Sequence, residues 1–287
     1  MSDTTNKIFD IPVSQIIRKR KSVRSYKPVP IDDALKKKLS SYIESLSAPF
    51  PSGVRFIIVD SKILMETSDV KLGTYGIIKG ASSFIVTATD NEEINLLALG
   101  YELEKVILYA TSLGLGTCWL GGTFKKSEFA KAIKLTTNEI LPIVSPVGQP
   151  SENRRIVDSI MRSIAGSNNR LQWEKLFFDG TFSKPLSEID ADIYREPLEM
   201  VRLAPSASNK QPWRIVKEKN TIHIYMNHAK GYSKALGFDM QKIDIGIAMC
   251  HFELSASEMG IKGIWKKCTP SVVIPEENIE YIISWVV

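Results

Sequence analysis

From Glu92 to Leu113, apolar residues recur at helical spacing: Leu96, Leu99, Leu103, Val106, Ile107, Ala110 and Leu113. The pattern predicts a long helix. Gly114 closes it, because glycine takes left-handed backbone angles at little cost. Asp244 to Met259 reads as a second long helix, closed by Gly260. Shorter helices are expected over Val13–Arg20, from an N-cap at Asp32 to about Leu46, and over Pro197–Leu203, with a start as early as Asp190. A helix followed by irregular chain is expected over Asp158–Asp179. Apolar runs too short for helices read as strands. These are Phe56–Val59, expected to be buried, Ser83–Ala88, Leu141–Val147, Trp213–Val216, Ile222–Met226 and Tyr281–Val287. Ser22–Val29 reads as extended, ended by Pro28 and Pro30. Pro49, Pro51 and Gly53 break the chain, and Ala204–Pro212 reads as a loop. Helices and strands mix without a strict βαβ rhythm. The expected class is therefore α+β around mixed, largely antiparallel sheets.

The two long helices align without gaps at a constant offset of 146 residues: Gly100 with Gly246, Leu108 with Leu254, Ala110 with Ala256, Gly114 with Gly260 and Trp119 with Trp265. Ala48-Pro49 pairs with Ala204-Pro205, and Phe56–Val59 with Trp213–Val216, at slightly larger offsets. A shift of about half the chain is not solenoid spacing. It points to two similar halves, 1–165 and 166–287, packed about a pseudo-twofold axis like a C2 dimer fused into one chain. A monomer is then expected, since the fusion supplies the twofold interface.

Composition changes this picture little. Of 287 residues, 44% are hydrophobic and 24% charged, which excludes a mainly disordered or collagen-like chain. The three cysteines, Cys118, Cys250 and Cys268, are widely spaced and form no CxxC pair. With only three histidines, no metal site is expected. Met1–Asp10 is polar, without the apolar stretch of a secretion signal, and no run approaches a membrane span. The expected setting is the reducing cytoplasm.

Charge matters more, because it is local. The formal net charge is +5, yet Arg18–Lys38 alone holds nine basic and two acidic residues, so the rest of the chain is slightly acidic. A uniformly basic protein that coats nucleic acid is not expected. Lys36–Lys38 reads as a solvated helix face.

Three motifs carry candidate chemistry. In Arg20-Lys21-Ser22-Val23-Arg24, three cations and a hydroxyl within five residues can converge on one phosphate, the guanidinium groups offering paired N–H donors. In Ala204-Pro205-Ser206-Ala207-Ser208-Asn209-Lys210-Gln211-Pro212-Trp213, small residues let a planar ligand lie against the backbone while Ser, Asn and Gln offer polar partners. The same loop also reads as a turn-rich connection ending in a core tryptophan. The third motif, Leu113–Gly122, is glycine-rich but follows a helix and has the wrong glycine spacing for a dinucleotide fingerprint. Its Gly121-Gly122 pair permits close backbone approach of a ligand, or simply a tight turn. No Ser/His/Asp set demands another reaction. His251 reads as a satisfied interior or boundary histidine.

Together these motifs resemble the nitroreductase family of flavoproteins, and more closely its branch with two half-domains fused in one chain. The resemblance spans roughly Ile16 to Trp265 and is most specific over Leu198–Trp213, LEMVRLAPSASNKQPW. It implies a nitroreductase-like α+β fold with FMN at the interface of the halves. It assigns Arg20, Ser22 and Arg24, with Lys21 nearby, to the FMN phosphate. It assigns Pro205, Ser206, Ala207 and Asn209, with Gln211 as an addition, to the flanks of the isoalloxazine. It assigns Gly121 and Gly122 to the turn near flavin N5. A basic residue after Gly148 often reaches the phosphate in that family; Arg154, Arg155 and Arg162 are candidates, with Arg155 preferred. The first half lacks a Pro-Ser-x-x-Asn loop and the second lacks an Arg-x-Ser-x-Arg segment. One flavin per chain is therefore expected. The implied activity is electron transfer from NAD(P)H to a nitroaromatic, quinone or similar electron-poor molecule, with no side chain required as catalytic acid. The alternative is a flavin-binding protein without efficient turnover: a store, a sensor or a flavin-modifying protein.

Overall fold

The computed structural model describes residues 9–68, 70–152, 169–229 and 236–287. Two compact units are present. Met1–Ser47, Ser52–Asn95 and Glu102–Met161 make up the first; Ala48–Pro51, Leu96–Tyr101 and Arg162–Val287 make up the second. Two short N-terminal stretches thus group with the second unit.

The N-terminal elements are α1 (Val13–Lys19), α2 (Asp33–Glu44), β1 (Arg55–Asp60), α3 (Ser61–Thr67), β2 (Ser83–Ala88), α4 (Glu93–Ser112), β3 (Gly116–Thr117), α5 (Lys126–Ala132) and β4 (Val144–Gly148). Asp32 caps α2 as its sequence predicts, its Oδ1 accepting from Ala34 N and Leu35 N at 3.0 and 3.3 Å. The four strands form a sheet of order β1-β2-β4-β3, antiparallel throughout. Strand β2 is buried along its whole length and packs with Phe124, Phe129 and Leu141 in the core. Strand β1, expected to be buried, is an edge strand in which only Val59 is buried. An apolar run reports strand propensity, and sheet order then decides how many faces and edges are covered. Helix α3 went unpredicted: it is short, none of its residues is fully buried and only Leu64 packs against the core; it is started by Asp60, which accepts from Lys62 N at 3.0 Å.

The second unit adds β5 (Phe177–Asp179), α6 (Arg195–Leu203), β6 (Trp213–Glu218), β7 (Thr221–Asn227), α7 (Met240–Glu258), β8 (Ile264–Lys266) and β9 (Ile279–Val286). Of the helix expected from Asp158, the part up to residue 168 lies outside the described residues; beyond it stand one 3-10 turn, Trp173–Lys175, and β5. The sheet order is β5-β6-β7-β9-β8, with β5 parallel to β6 and every other pair antiparallel. Without β5, this order is that of the first sheet: first, second, fourth, third. In each unit the long helix stands between the second and third strands in sequence. Helix α7 begins a turn earlier than predicted, capped by Asp239 Oδ1 on Gln241 N at 3.0 Å.

Glycine decides how closely the Leu96–Tyr101 turns of α4 cross α7. A Cβ on Gly100 would lie 2.0 Å from Ile243 O, and one on Gly246 would lie 2.1 Å from Leu97 O. Leu97 and Ile243 are themselves 146 residues apart, so each contact is the other's counterpart under the sequence repeat. Reciprocal contacts of this kind are what a twofold axis produces. The crossing is therefore locally twofold.

Candidate functional site

In the first unit, the basic segment is strapped along the sheet edge as an extended chain. Ser22 bridges Thr117 of β3, and Val23 N donates to Thr117 O at 2.8 Å. Lys79 N donates to Arg24 O at 2.9 Å, Tyr26 N to Lys79 O at 2.8 Å, and Lys27 N to Gln149 O at 2.9 Å. Val23 fits because Gly116 opposite has no side chain: a Cβ there would lie 2.9 Å from the valine carbons. Tyr26 is buried and donates its hydroxyl to Val23 O at 2.7 Å. These anchors leave Arg20, Ser22 and Arg24 on one alternating set of positions, while Lys21 is exposed.

The two arginines differ. Arg20 Nε lies 3.8 Å from Glu104 Oε1, the Arg20 side chain being 8% and that of Glu104 0% exposed. Glu104 also accepts from Trp119 Nε1 at 2.9 Å. Arg20 is thus partly committed to neutralising a buried carboxylate, a partner no sequence motif announced. Arg24 buries Nη1 with no hydrogen-bond partner among the described residues, and Arg20 Nε, although ion-paired with Glu104, likewise makes no hydrogen bond. Buried guanidinium donors without acceptors are costly unless an anion meets them. Nearby, Leu120 and Val144 exchange backbone hydrogen bonds of 3.0 Å, and the chain leaves the sheet at Gly121-Gly122, where Gly122 is exposed. Arg155, with Arg154 and Arg162, lies outside the described residues.

In the second unit, the Pro205–Gln211 loop joins α6 to β6. It contains a 3-10 turn, Ala207–Asn209, and three non-glycine residues at positive φ: Ser208 at 49°, Asn209 at 53° and Gln211 at 48°. Several anchors hold it. Ser206 Oγ accepts from Gln211 N at 2.8 Å. Asp244 Oδ1, on α7, accepts from Ala207 N at 3.0 Å. Asn209 Nδ2 donates to Asn169 O at 2.8 Å, and its Oδ1 accepts from Arg170 Nη1. Gln211 is buried, its Oε1 accepting from Leu171 N at 2.8 Å and its Nε2 donating to Asn169 O at 3.2 Å. The side chains of Asn209 and Gln211, read as polar partners for a ring edge, are therefore engaged in holding the 169–171 segment. Sequence reasoning missed that segment because nothing marks it as a motif. His251 is fully buried, with Nδ1 2.8 Å from Met200 O, and ties α7 to α6.

Asp244 is the most perturbed acid of this loop. Burial pushes its pKa well above the carboxylate range, only partly offset by the Ala207 N–H. Its Oδ2 is buried without a partner. A carboxyl with a raised folded pKa contributes stability that is present below its unfolded pKa of about 4 and lost as pH rises towards the folded value. The urea midpoint of the wild type is therefore expected to fall between pH 5 and 8, and that of Asp244→Asn to fall less. Parallel profiles would show that Asp244 ionises freely.

The family model described as Putative TM nitroreductase matches residues 12–256. The chain belongs to this family. Among solved structures, a putative nitroreductase from Thermotoga maritima MSB8 is 19% identical, covers 96% of this chain and 94% of its own, and superposes with a TM-score of 0.61, a likeness of fold. An FMN-dependent nitroreductase from Clostridium difficile R20291 is 19% identical over 50% of this chain and 92% of its own, with a TM-score of 0.39. A putative nitroreductase in complex with FMN from Desulfovibrio desulfuricans is 24% identical over 53% of this chain and 95% of its own, with a TM-score of 0.38. No match was found among curated proteins. The nitroreductase-like fold accounts for the α+β architecture and the largely antiparallel sheets of the two units. Among the described residues, no helix of this nitroreductase-family chain is long and apolar enough to cross a membrane.

Proposed function

We propose that the chain is an FMN-dependent oxidoreductase that passes electrons from NADH or NADPH to a nitroaromatic, quinone or similar electron-poor molecule. The observation that carries this reading is the buried guanidinium nitrogen of Arg24, without a hydrogen-bond partner among the described residues, beside Arg20, whose Nε is ion-paired with Glu104 but makes no hydrogen bond, in a nitroreductase-family chain. They fit a phosphate: two fixed cations, a hydroxyl at Ser22 and the exposed Lys21 beside them. Arg155 is proposed as a further phosphate ligand. Gly121 and Gly122 would let the ring approach the backbone, and Pro205, Ser206, Ala207 and Asn209 would flank it, with Gln211 bracing the loop from within.

The chemistry supplied by bound FMN is two-electron transfer, a hydride taken from a reduced nicotinamide and passed on to the acceptor. The protein's own part is to bind, orient and neutralise. Arg24, and Arg20 to the extent that Glu104 leaves its charge available, would offset the phosphate. The loop, held in left-handed turns, would present a fixed wall to a planar ring. One FMN per chain is proposed, because the phosphate segment occurs once and the Pro-Ser-x-x-Asn loop once. The matching strand orders and the reciprocal Gly100 and Gly246 contacts support an internal duplication, and a monomer as the working state.

The test is the visible spectrum of the purified protein, then anaerobic addition of NADH or NADPH. A flavin spectrum at about one FMN per chain that bleaches on addition is expected. Flavin that stays oxidised would favour a store, sensor or flavin-modifying role. A colourless protein that takes up no added FMN would overturn the cofactor assignment.

A further inference from the structure

We propose that Arg170 is a positioning residue for the flavin-flanking loop, an inference that rests on the FMN reading above. Its guanidinium spans the loop from end to end. Nη2 donates to Leu203 O, the last residue of α6, at 2.9 Å, and Nη1 donates to Asn209 Oδ1 in the loop itself. The flanking backbone completes a strut. Asn169 O accepts from Asn209 Nδ2 and Gln211 Nε2 at 2.8 and 3.2 Å, and Leu171 N donates to Gln211 Oε1 at 2.8 Å. Three consecutive residues thus make five hydrogen bonds to the loop and to the helix end that feeds it.

The strut acts where the loop is least able to hold itself. Ser208, Asn209 and Gln211 sit at φ of 49°, 53° and 48°, a region that costs side-chain-bearing residues about 1 kcal/mol or more each. Such angles persist only where the surroundings over-determine them. Asp244 fixes the loop at Ala207, before the left-handed stretch. Arg170 fixes it within that stretch, and it does so with a planar fork that lysine cannot reproduce. The geometry assigns Arg170 to shaping the ring-facing wall through Asn209; it need not touch the flavin.

The loop supplies its own reporter, because Lys210 is exposed and the Lys210–Gln211 bond is a trypsin site. Arg170→Ala and Arg170→Lys are compared with wild type in two measurements: trypsin cleavage after Lys210, followed by mass spectrometry on the apo protein, and FMN affinity with the visible circular dichroism of the bound flavin. In Arg170→Ala, faster cleavage, about tenfold or more weaker FMN binding and an altered dichroism band are expected. Millimolar guanidinium should restore part of the affinity, whereas Arg170→Lys should recover the charge but not the band shape. Faster cleavage with unchanged affinity and spectrum would overturn the positioning role. Unchanged cleavage would overturn the strut itself. Wild-type protein that binds no FMN would overturn the flavin reading and the positioning role with it, which the variant data alone could not do. If Arg170→Ala fails to fold, Arg170→Lys carries both readouts.

Discussion

Gly246→Ala is expected to lower the thermal midpoint by roughly 5–10 °C, or to prevent folding outright. The added Cβ would lie 2.1 Å from Leu97 O and 2.8 Å from Tyr101 N, and backbone cannot swing aside as a side chain can. The Leu96–Tyr101 turns and α7 would have to separate, disturbing buried residues that include Leu99, Ile243 and Ile247. Overpacking of this kind typically costs about 1–3 kcal/mol and more when backbone must move, and for a chain of this size each kcal/mol is worth about 2–4 °C. Gly100→Ala should behave alike, since its Cβ would lie 2.0 Å from Ile243 O. The double variant should cost clearly less than the two single costs combined, because helices spread by one alanine already make room for the other. A Gly246→Ala protein that melts with the wild type would show that the helices do not cross at this distance.

Arg24→Ala is expected to weaken FMN binding by roughly ten- to a hundredfold, the loss of a charge-assisted hydrogen bond worth about 1.5–3 kcal/mol. Its effect on stability should be small or favourable, because the substitution removes a buried donor that has no acceptor among the described residues. Arg20→Ala offers the contrast. It removes the Arg20 charge from beside Glu104, whose side chain is 0% exposed, so it should lower the melting temperature of the apo protein as well as the affinity. Flavin titration and melting of both single variants separate the two roles. An Arg20→Ala, Arg24→Ala double variant that is purified with its full complement of flavin would remove the phosphate assignment.

The sequence by itself determined the elements whose cause is local. Periodic apolar residues specify α4, Asp32 the start of α2, and Gly114 and Gly260, at φ of 79° and 75°, the turns that end both long helices. It also showed matching residues 146 positions apart, among them Gly100 and Gly246, at which a Cβ would meet backbone of the opposite helix. The basic pentamer and the loop before Trp213 were visible as residue types.

Tertiary structure alone decided which of those residues are available. Arg20 meets Glu104 from 84 positions away, Ala207 meets Asp244 across 37, and Arg170 meets Asn209 across 39. No periodicity links such pairs, since each depends on where two independently specified elements come to rest. For the same reason β1, as apolar as β2, lies at a sheet edge. Burial then sets the chemistry: removed from water, the Asp244 carboxyl favours its neutral form, and unpartnered guanidinium donors become a demand for an anion. Residue type states what a side chain can do; the low-dielectric surroundings assembled by the fold decide what it must do.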